Sequence, residues 1–284
     1  MCTLLLAALM VGAQTKIAPK MQKGMKKTYV TQVTINAPSK QAATISCETI
    51  YEVTDETADG YTLDVYISDV TTDAKDADSR IYSMATEMLK GIHTRYTTDK
   101  DGKVEKILDA EDVKKRTIEM LDNILSNAHL PESTTTSGLR EQLTGNLNEE
   151  SLLQSVQIST SPLTLNGKTI TTGTEEEYNT EQGIKMKRTY TLSDKNSIQA
   201  NAKIDMSTEE MKKMIAGMLE KLMPDLPENF MESMGEMVKN FKLDASEKST
   251  YTLQKDGWVK SITSESTYGS MGMSFKVNTK VTLK

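Results

Sequence analysis

Two histidines, a band of methionines, Cys47, an Asp-Lys-Asp-Gly run and a serine between glycines are the groups with which this chain could do chemistry. His93 and His129 are read as lying near helix ends, with no Cys, Asp or Glu at ligand spacing. A metal site needs several such groups converging, so none is expected, and a solvated imidazole at a helix C-terminus is favoured instead. Asp99-Lys100-Asp101-Gly102 resembles part of a calcium loop. The required spacing puts Thr97 at the first ligand position and Leu108 where a bidentate Glu belongs, so a turn is expected there. In Gly269-Ser270-Met271-Gly272 the serine lacks the first glycine of a nucleophile elbow, because Tyr268 stands in its place. Cys47 shares the covered side of its strand with Ile45, Tyr51 and Val53. No base lies nearby in sequence, and a buried, inert thiol is expected. No Gly-rich phosphate loop is present. These residues assemble no catalytic constellation, and neither a cofactor nor a metal is expected.

The methionines stand out. Eight of the 18 fall between Met206 and Met237, in two stretches of helical period. Met211, Met214 and Met218 lie on one face, and Met231, Met234 and Met237 on the other helix. Flexible, polarizable thioethers on an amphipathic face fill core gaps, and they also suit apolar partners of variable shape. Both readings stand at this point: helices that roof a sheet, or a cover that holds a hydrophobic or acylated ligand.

The elements that must position these groups are mostly strands. Tyr96-Thr97 through Ile107 returns as Tyr251-Thr252 through Ile262, with seven of twelve residues identical and Asp-Gly at the centre of each. A two-residue type I′ turn at Asp-Gly sets Tyr96 opposite Ile107 and Tyr251 opposite Ile262. Asn166-Gly167 predicts a third such turn, with Leu163 opposite Ile170. Period-two alternation runs through Ile45–Val53, Tyr61–Ile67, Ile198–Met206 and Met273–Leu283, which is the signature of antiparallel sheet with one covered face. Lys276 and Lys280 point outward on the last strand, as edge strands often arrange.

Helical stripes are expected at Ile81, Met84, Met88 and Leu89, and again at Val113, Thr117, Met120, Leu121, Ile124 and Leu125 between Asp109 and Asn127. Ser207 and Glu210 form a capping box for the first Met-rich helix, and Pro224 and Pro227 separate it from the second. The predicted fold is α+β: two related antiparallel sheet units, each a curved sheet or half-barrel covered by helices. Residues 14–128 form the first β-rich unit, 129–162 a linker region, and 163–284 the second unit with its Met-rich helical pair.

Leu4 to Val11 is an uncharged apolar run ending in Val11-Gly12-Ala13, small enough for a signal peptidase pocket. Its length is well under the roughly 20 residues of a membrane span. Residues 1–13 therefore read as a secretory leader with a shortened basic start, and export to a periplasm or the outside is expected. The net charge of −6, with no basic run and interleaved aromatics, argues against nucleic acid. Only Cys47 follows the leader, so no internal disulfide is expected.

The Gly12-Ala13-Gln14 ending, the single thiol and the paired Lys-Asp-Gly hairpins resemble an uncharacterised family of secreted proteins from Bacteroidota. A curved antiparallel sheet with helices packed on it is also similar, more distantly, to the lipoprotein-carrier-like proteins of the periplasm. That second resemblance implies an acylated ligand, although no ligand-binding residue can be matched. The function expected is a non-catalytic envelope protein that binds a hydrophobic or lipidic ligand through Met-rich helices. The alternative is a structural or protein-interaction module of the envelope.

Overall fold

A computed structural model of the chain describes residues 14–36, 42–73, 86–87, 89–127, 149–158, 160–180, 184–194, 196–211, 213–214, 217, 244–270 and 273–284. Five strands follow one another up and down: β2 (Lys26–Asn36), β3 (Ala43–Glu56), β4 (Gly60–Thr72), β5 (His93–Asp99) and β6 (Val104–Ile107). Six more do the same: β8 (Glu175–Asn179), β9 (Lys185–Asp194), β10 (Ser197–Ile204), β11 (Asp244–Leu253), β12 (Val259–Ser270) and β13 (Met273–Leu283). All eleven form one antiparallel sheet in the order β6-β5-β4-β3-β2-β13-β12-β11-β10-β9-β8. A separate pair joins β1 (Gln14–Lys16) to β7 (Thr169–Thr171).

This corrects the predicted fold class. The protein is mostly β, with a single large sheet in place of two helix-covered α+β units. Among the described residues it has two helices, α1 (Ala110–Asn127) and the shorter α2 (Glu149–Ile158). The two sheet halves merge because the first long strand pairs with the last, Tyr29 opposite Leu283 through Asn36 opposite Lys276. Lys276 and Lys280 do lie on the outer side, but on a central strand. A period of two reports which face a residue takes and is silent about which strand lies alongside.

The repeated hairpins end in a different turn from the one expected. Gly102 N donates to Asp99 O and Asp99 N to Lys103 O, and Gly257 and Gln254 repeat this with Gln254 and Trp258. Each is a three-residue loop whose glycine has positive φ, 79° at Gly102 and 85° at Gly257. A compensating register shift follows in each hairpin, and the Tyr96–Ile107 and Tyr251–Ile262 pairs form as predicted. What recurs is a turn, not a domain. Asn166-Gly167 makes no hairpin: Gly167 N donates to Ile17 O, and Ile170 pairs with Thr15 on β1.

The main core sits at one end of one sheet face, here termed the inner face. A strap formed by residues 14–25 crosses it between the two Asp-Gly turns. Lys16 pairs with Asp101 at 2.7 Å, and Lys20 N donates to Asp256 O at 2.8 Å. The missing side chain of Gly257 leaves room for the strap: a Cβ there would stand 2.7 Å from Ala18 O. Ile17, Met21, Leu163, Leu165 and Ile170 pack under the strap and its neighbouring loop onto Tyr29, Val53, Leu63, Tyr251, Trp258 and Ile262. Each fully buried aliphatic side chain contributes about 1.5–3 kcal/mol relative to exposure.

Candidate functional site

The other end of the inner face carries the candidate site. Strand register lays its side chains out in rows that cross the sheet. Nearest the rim, Tyr178 faces Met186, Met186 faces Ile204, and Tyr268 lies between Ala245 and Phe275. The next row runs Glu176, Arg188, Ala202, Glu247, Ser266, Val277, Ile35 and Ala43. The third runs Tyr190, Ala200, Ser249, Ser264, Thr279, Val33 and Ile45.

Size varies systematically along these rows. Ala200, Ala202, Ala245, Ser249 and Ser264 make a low, buried strip along β10, β11 and β12. Taller residues flank it: Tyr178, Met186, Arg188 and Tyr190 on one side, and Phe275, Val277, Val33 and Ile45 on the other. These short side chains are covered in the folded chain: Glu247 interrupts them on β11, and the Arg188 side chain lies across Ala202 to reach it. At the rim, Tyr268 and Phe275 stack with centroids 5.1 Å apart. They remain 38% and 44% exposed.

A polar belt crosses the strip. Arg188 is fully buried, with Glu176 Oε2 at 3.7 Å and Glu247 Oε1 at 3.8 Å. It reaches Glu247 across Ala202, whose small side chain clears the way. The guanidinium also lies over the Tyr178 ring at 4.6 Å and donates to its Oη at 3.3 Å. Glu176 accepts from Lys168 at 2.6 Å and from Tyr190 Oη at 2.6 Å. Ser249 Oγ donates to Glu247 at 2.6 Å and lies 2.9 Å from Ser264 Oγ, which is then the donor of that second bond. Two cations and two carboxylates balance, as buried charges require. Burial works to raise the Glu176 carboxyl, but the charge and hydrogen bond of Lys168, with help from Tyr190 and Arg188, hold it below the usual range. Burial also pushes the Tyr251 phenol up to about 12, so it stays a donor. No partner of that oxygen meets ordinary hydrogen-bond geometry, but the Ser249 hydroxyl lies close enough to work against the rise.

The sequence-predicted site residues are only partly visible. Met211 and Met214 are half-buried where the chain leaves β10, and the capping box forms, with Ser207 N bonded to Glu210 Oε2 at 2.7 Å and Glu210 N to Ser207 Oγ at 3.2 Å. Met218, Met231, Met234 and Met237 lie outside the described residues, as do His129, the residues 132–138, and Ile81, Met84 and Met88. Residues 1–13 do too. Cys47 is half-buried on the inner face, and burial raises its thiol despite hydrogen bonds with Thr49 and Thr31. Asp99 uses its carboxylate on Asp101 N and Lys103 N, both at 2.9 Å, which is turn chemistry.

His93 opens β5 rather than ending a helix. Its Nδ1 lies 2.7 Å from Asp64 Oδ2, and its ring stacks on Tyr66 at 4.2 Å. This carboxylate, 29 residues away in sequence, came from strand register and no local pattern shows it. No hydroxyl or thiol is hydrogen-bonded to the ring among the described residues. Arg188 was the legible omission: it occupies an inward position between Met186 and Tyr190, and a charge in the apolar register signals a buried ion pair. On the outer face a groove of about 560 Å³ crosses β3, β2, β13, β12 and β11, lined by polar residues including Gln32, Thr34, Lys248 and Asn278. It is the wet side of the sheet.

No family model and no curated protein matches this sequence. The resemblance to a secreted Bacteroidota family therefore rests on sequence pattern alone. Among solved structures the chain has a distant structural similarity to lipovitellin, from work on its lipid–protein interactions. The identity is 12%, the TM-score 0.40, and the match covers 93% of this chain and 25% of that one. The chain thus spans about a quarter of the length of lipovitellin. A second similarity is to DynF from the dynemicin biosynthesis pathway of Micromonospora chersina, at 7% identity and a TM-score of 0.19, covering 96% of this chain and 85% of that one. At these scores neither likeness carries an argument. No described helix is long and apolar enough to cross a membrane.

Proposed function

We propose that this is an exported, non-catalytic envelope protein that holds an apolar or acylated ligand against the inner face of its sheet. The observation that carries this reading is the strip of small residues Ala200, Ala202, Ala245, Ser249 and Ser264 between taller flanks, beside the exposed aromatic pair Tyr268 and Phe275. Export is supported by the leader-like run that ends at Ala13. The half-buried Met211 and Met214 add soft apolar surface where the chain leaves β10. Native mass spectrometry of protein expressed with export intact, followed by organic extraction, tests it. A reproducible adduct of lipid mass is expected, and bare protein across several preparations would sink the proposal.

A second reading has its own observation. The Tyr268–Phe275 stack is exposed enough to be a contact surface for another envelope protein, which would make the chain an interaction module. Aromatic pairs of this kind anchor interfaces. Under that reading the double substitution Tyr268→Ser with Phe275→Ser abolishes a defined complex and leaves any extracted lipid unchanged.

A further inference from the structure

The strap that crosses the inner face begins with β1, and β1 begins at Gln14. Gln14 is also the residue that follows the Val11-Gly12-Ala13 ending of the leader-like run. A cut after Ala13 therefore puts the new chain start on the first residue of the first strand. These boundaries have independent origins, one in a sequence pattern and the other in strand pairing. Gln14 is exposed, whereas Ile17 on the same strap is fully buried. Its main-chain nitrogen is not spent on holding β1. Gln14 stands opposite Thr171, and just beyond that register Ile17 N donates to Lys168 O at 2.9 Å. Hydrogen-bonded and non-hydrogen-bonded pairs alternate along an antiparallel ladder. Thr15 thus takes the next bonds to β7, and the nitrogen of Gln14 points away from it.

We propose that Gln14 is a modification site, where removal of the leader is followed by closure of an N-terminal pyroglutamate ring. The α-amino nitrogen of Gln14 attacks Cδ of its own side-chain amide. A bond forms between that nitrogen and Cδ, the bond from Cδ to the side-chain nitrogen breaks, and ammonia leaves with the proton the amine gives up. No oxidant, reductant or cofactor is consumed. The inference rests on the export reading above, because the amine is free only once the leader is cut. The position gives the ring a use. A lactam offers an aminopeptidase no amine, and trimming from this end would remove first the β1–β7 pair and then Lys16, whose ion pair with Asp101 at 2.7 Å holds the strap to the first Asp-Gly turn. Loss of the terminal amine also removes a positive charge from the strap end.

The test is the intact mass of the full chain expressed with its leader, exported and then held at neutral pH, measured beside Gln14→Ala and followed by aminopeptidase digestion. The wild type is expected to have the mass of the chain from Gln14 onward less one ammonia, and to resist the aminopeptidase. Gln14→Ala is expected to be cut at the same place, to show no loss of ammonia and to be trimmed. A wild-type chain that starts at Gln14 and keeps its full mass overturns the proposal and leaves export standing. The same loss of ammonia in Gln14→Ala also overturns it, since the loss then comes from elsewhere in the chain. A chain that retains residues 1–13 removes the leader reading itself, and the proposal with it.

Discussion

The indole Nε1 of Trp258 donates to the main-chain carbonyl of Lys20 at 2.9 Å, joining residues 238 positions apart. This bond ties the strap to the second Asp-Gly hairpin, and a chain with little aromatic bulk spends its single Trp there. Lys27 lies beside the same ring and pairs with Asp256 at 3.0 Å. The strap is therefore a brace between the two wings of the sheet, held at Asp101 on one side and at Asp256 and Trp258 on the other.

Trp258→Phe should destabilise the protein by about 2–4 kcal/mol. It leaves the Lys20 carbonyl without its donor inside the protein and opens a cavity where the larger ring sat. Urea denaturation measures this as a lower midpoint at unchanged slope. A loss below about 0.5 kcal/mol would show that the strap is not a structural brace.

Gly257→Ala should cost clearly more than Gly24→Ala. Both glycines have φ near 85°, so each substitution bears the left-handed penalty of about 1–2 kcal/mol. At Gly24 no atom lies within 4 Å of the added methyl, whereas at Gly257 it meets Ala18 O at 2.7 Å. Equal midpoints for the two variants would contradict the close approach of strap and turn.

Arg188→Met should be severely destabilising, by about 3–5 kcal/mol, because it leaves Glu176 and Glu247 without their shared cation. Glu176→Gln should also destabilise at neutral pH, because Lys168 and Arg188 lose a carboxylate, and should change the pH dependence. A carboxyl held below its ordinary value near about 4.3 contributes stability that is complete above that value and is lost as pH falls through the lowered one. Melting temperature plotted against pH should fall less steeply in acid for Glu176→Gln than for the wild type. Superimposable acid limbs would rule out this role for the Lys168–Glu176 pair.

Cys47 should label slowly. Its thiol is half-buried and raised by that burial, so the thiolate is scarce near neutral pH. Reaction with a chromogenic disulfide at pH 8 should run at least about tenfold slower in the folded protein than in urea, the margin expected for a raised, shielded thiol. A native rate matching the unfolded one would place Cys47 in solvent.

Much of the local structure was legible. Alternation assigned Ile45, Tyr51 and Val53, then Ile198, Ala200 and Ala202, to the covered face, and helix α1 begins within one residue of its expected start. The Tyr96–Ile107 and Tyr251–Ile262 pairs were right even though the turns were not. A three-residue loop shifts the register by one, and a second irregularity beyond it shifts it back. The candidate site was less legible. Met211 and Met214 were singled out for their spacing, whereas the Glu176–Arg188–Glu247 belt and the His93–Asp64 pair join residues on different strands, and no window of sequence contains both members.

The sequence by itself determined faces, the helix cap at Ser207 and the Tyr–Ile pairs of the Asp-Gly hairpins, because these depend on neighbours within a few residues and on side-chain periods of two or 3.6. It determined the repeated Tyr-Thr…Lys-Asp-Gly…Val…Ile hairpin for the same reason. Only the tertiary structure decided that β2 lies against β13, merging two expected units into one sheet, since strand neighbours are set by long-range hydrogen bonding that period-two patterns do not encode. It also decided what the two Asp-Gly turns are for. They face each other across the strap, and only the folded chain brings Gly257 against Ala18 and Trp258 against Lys20.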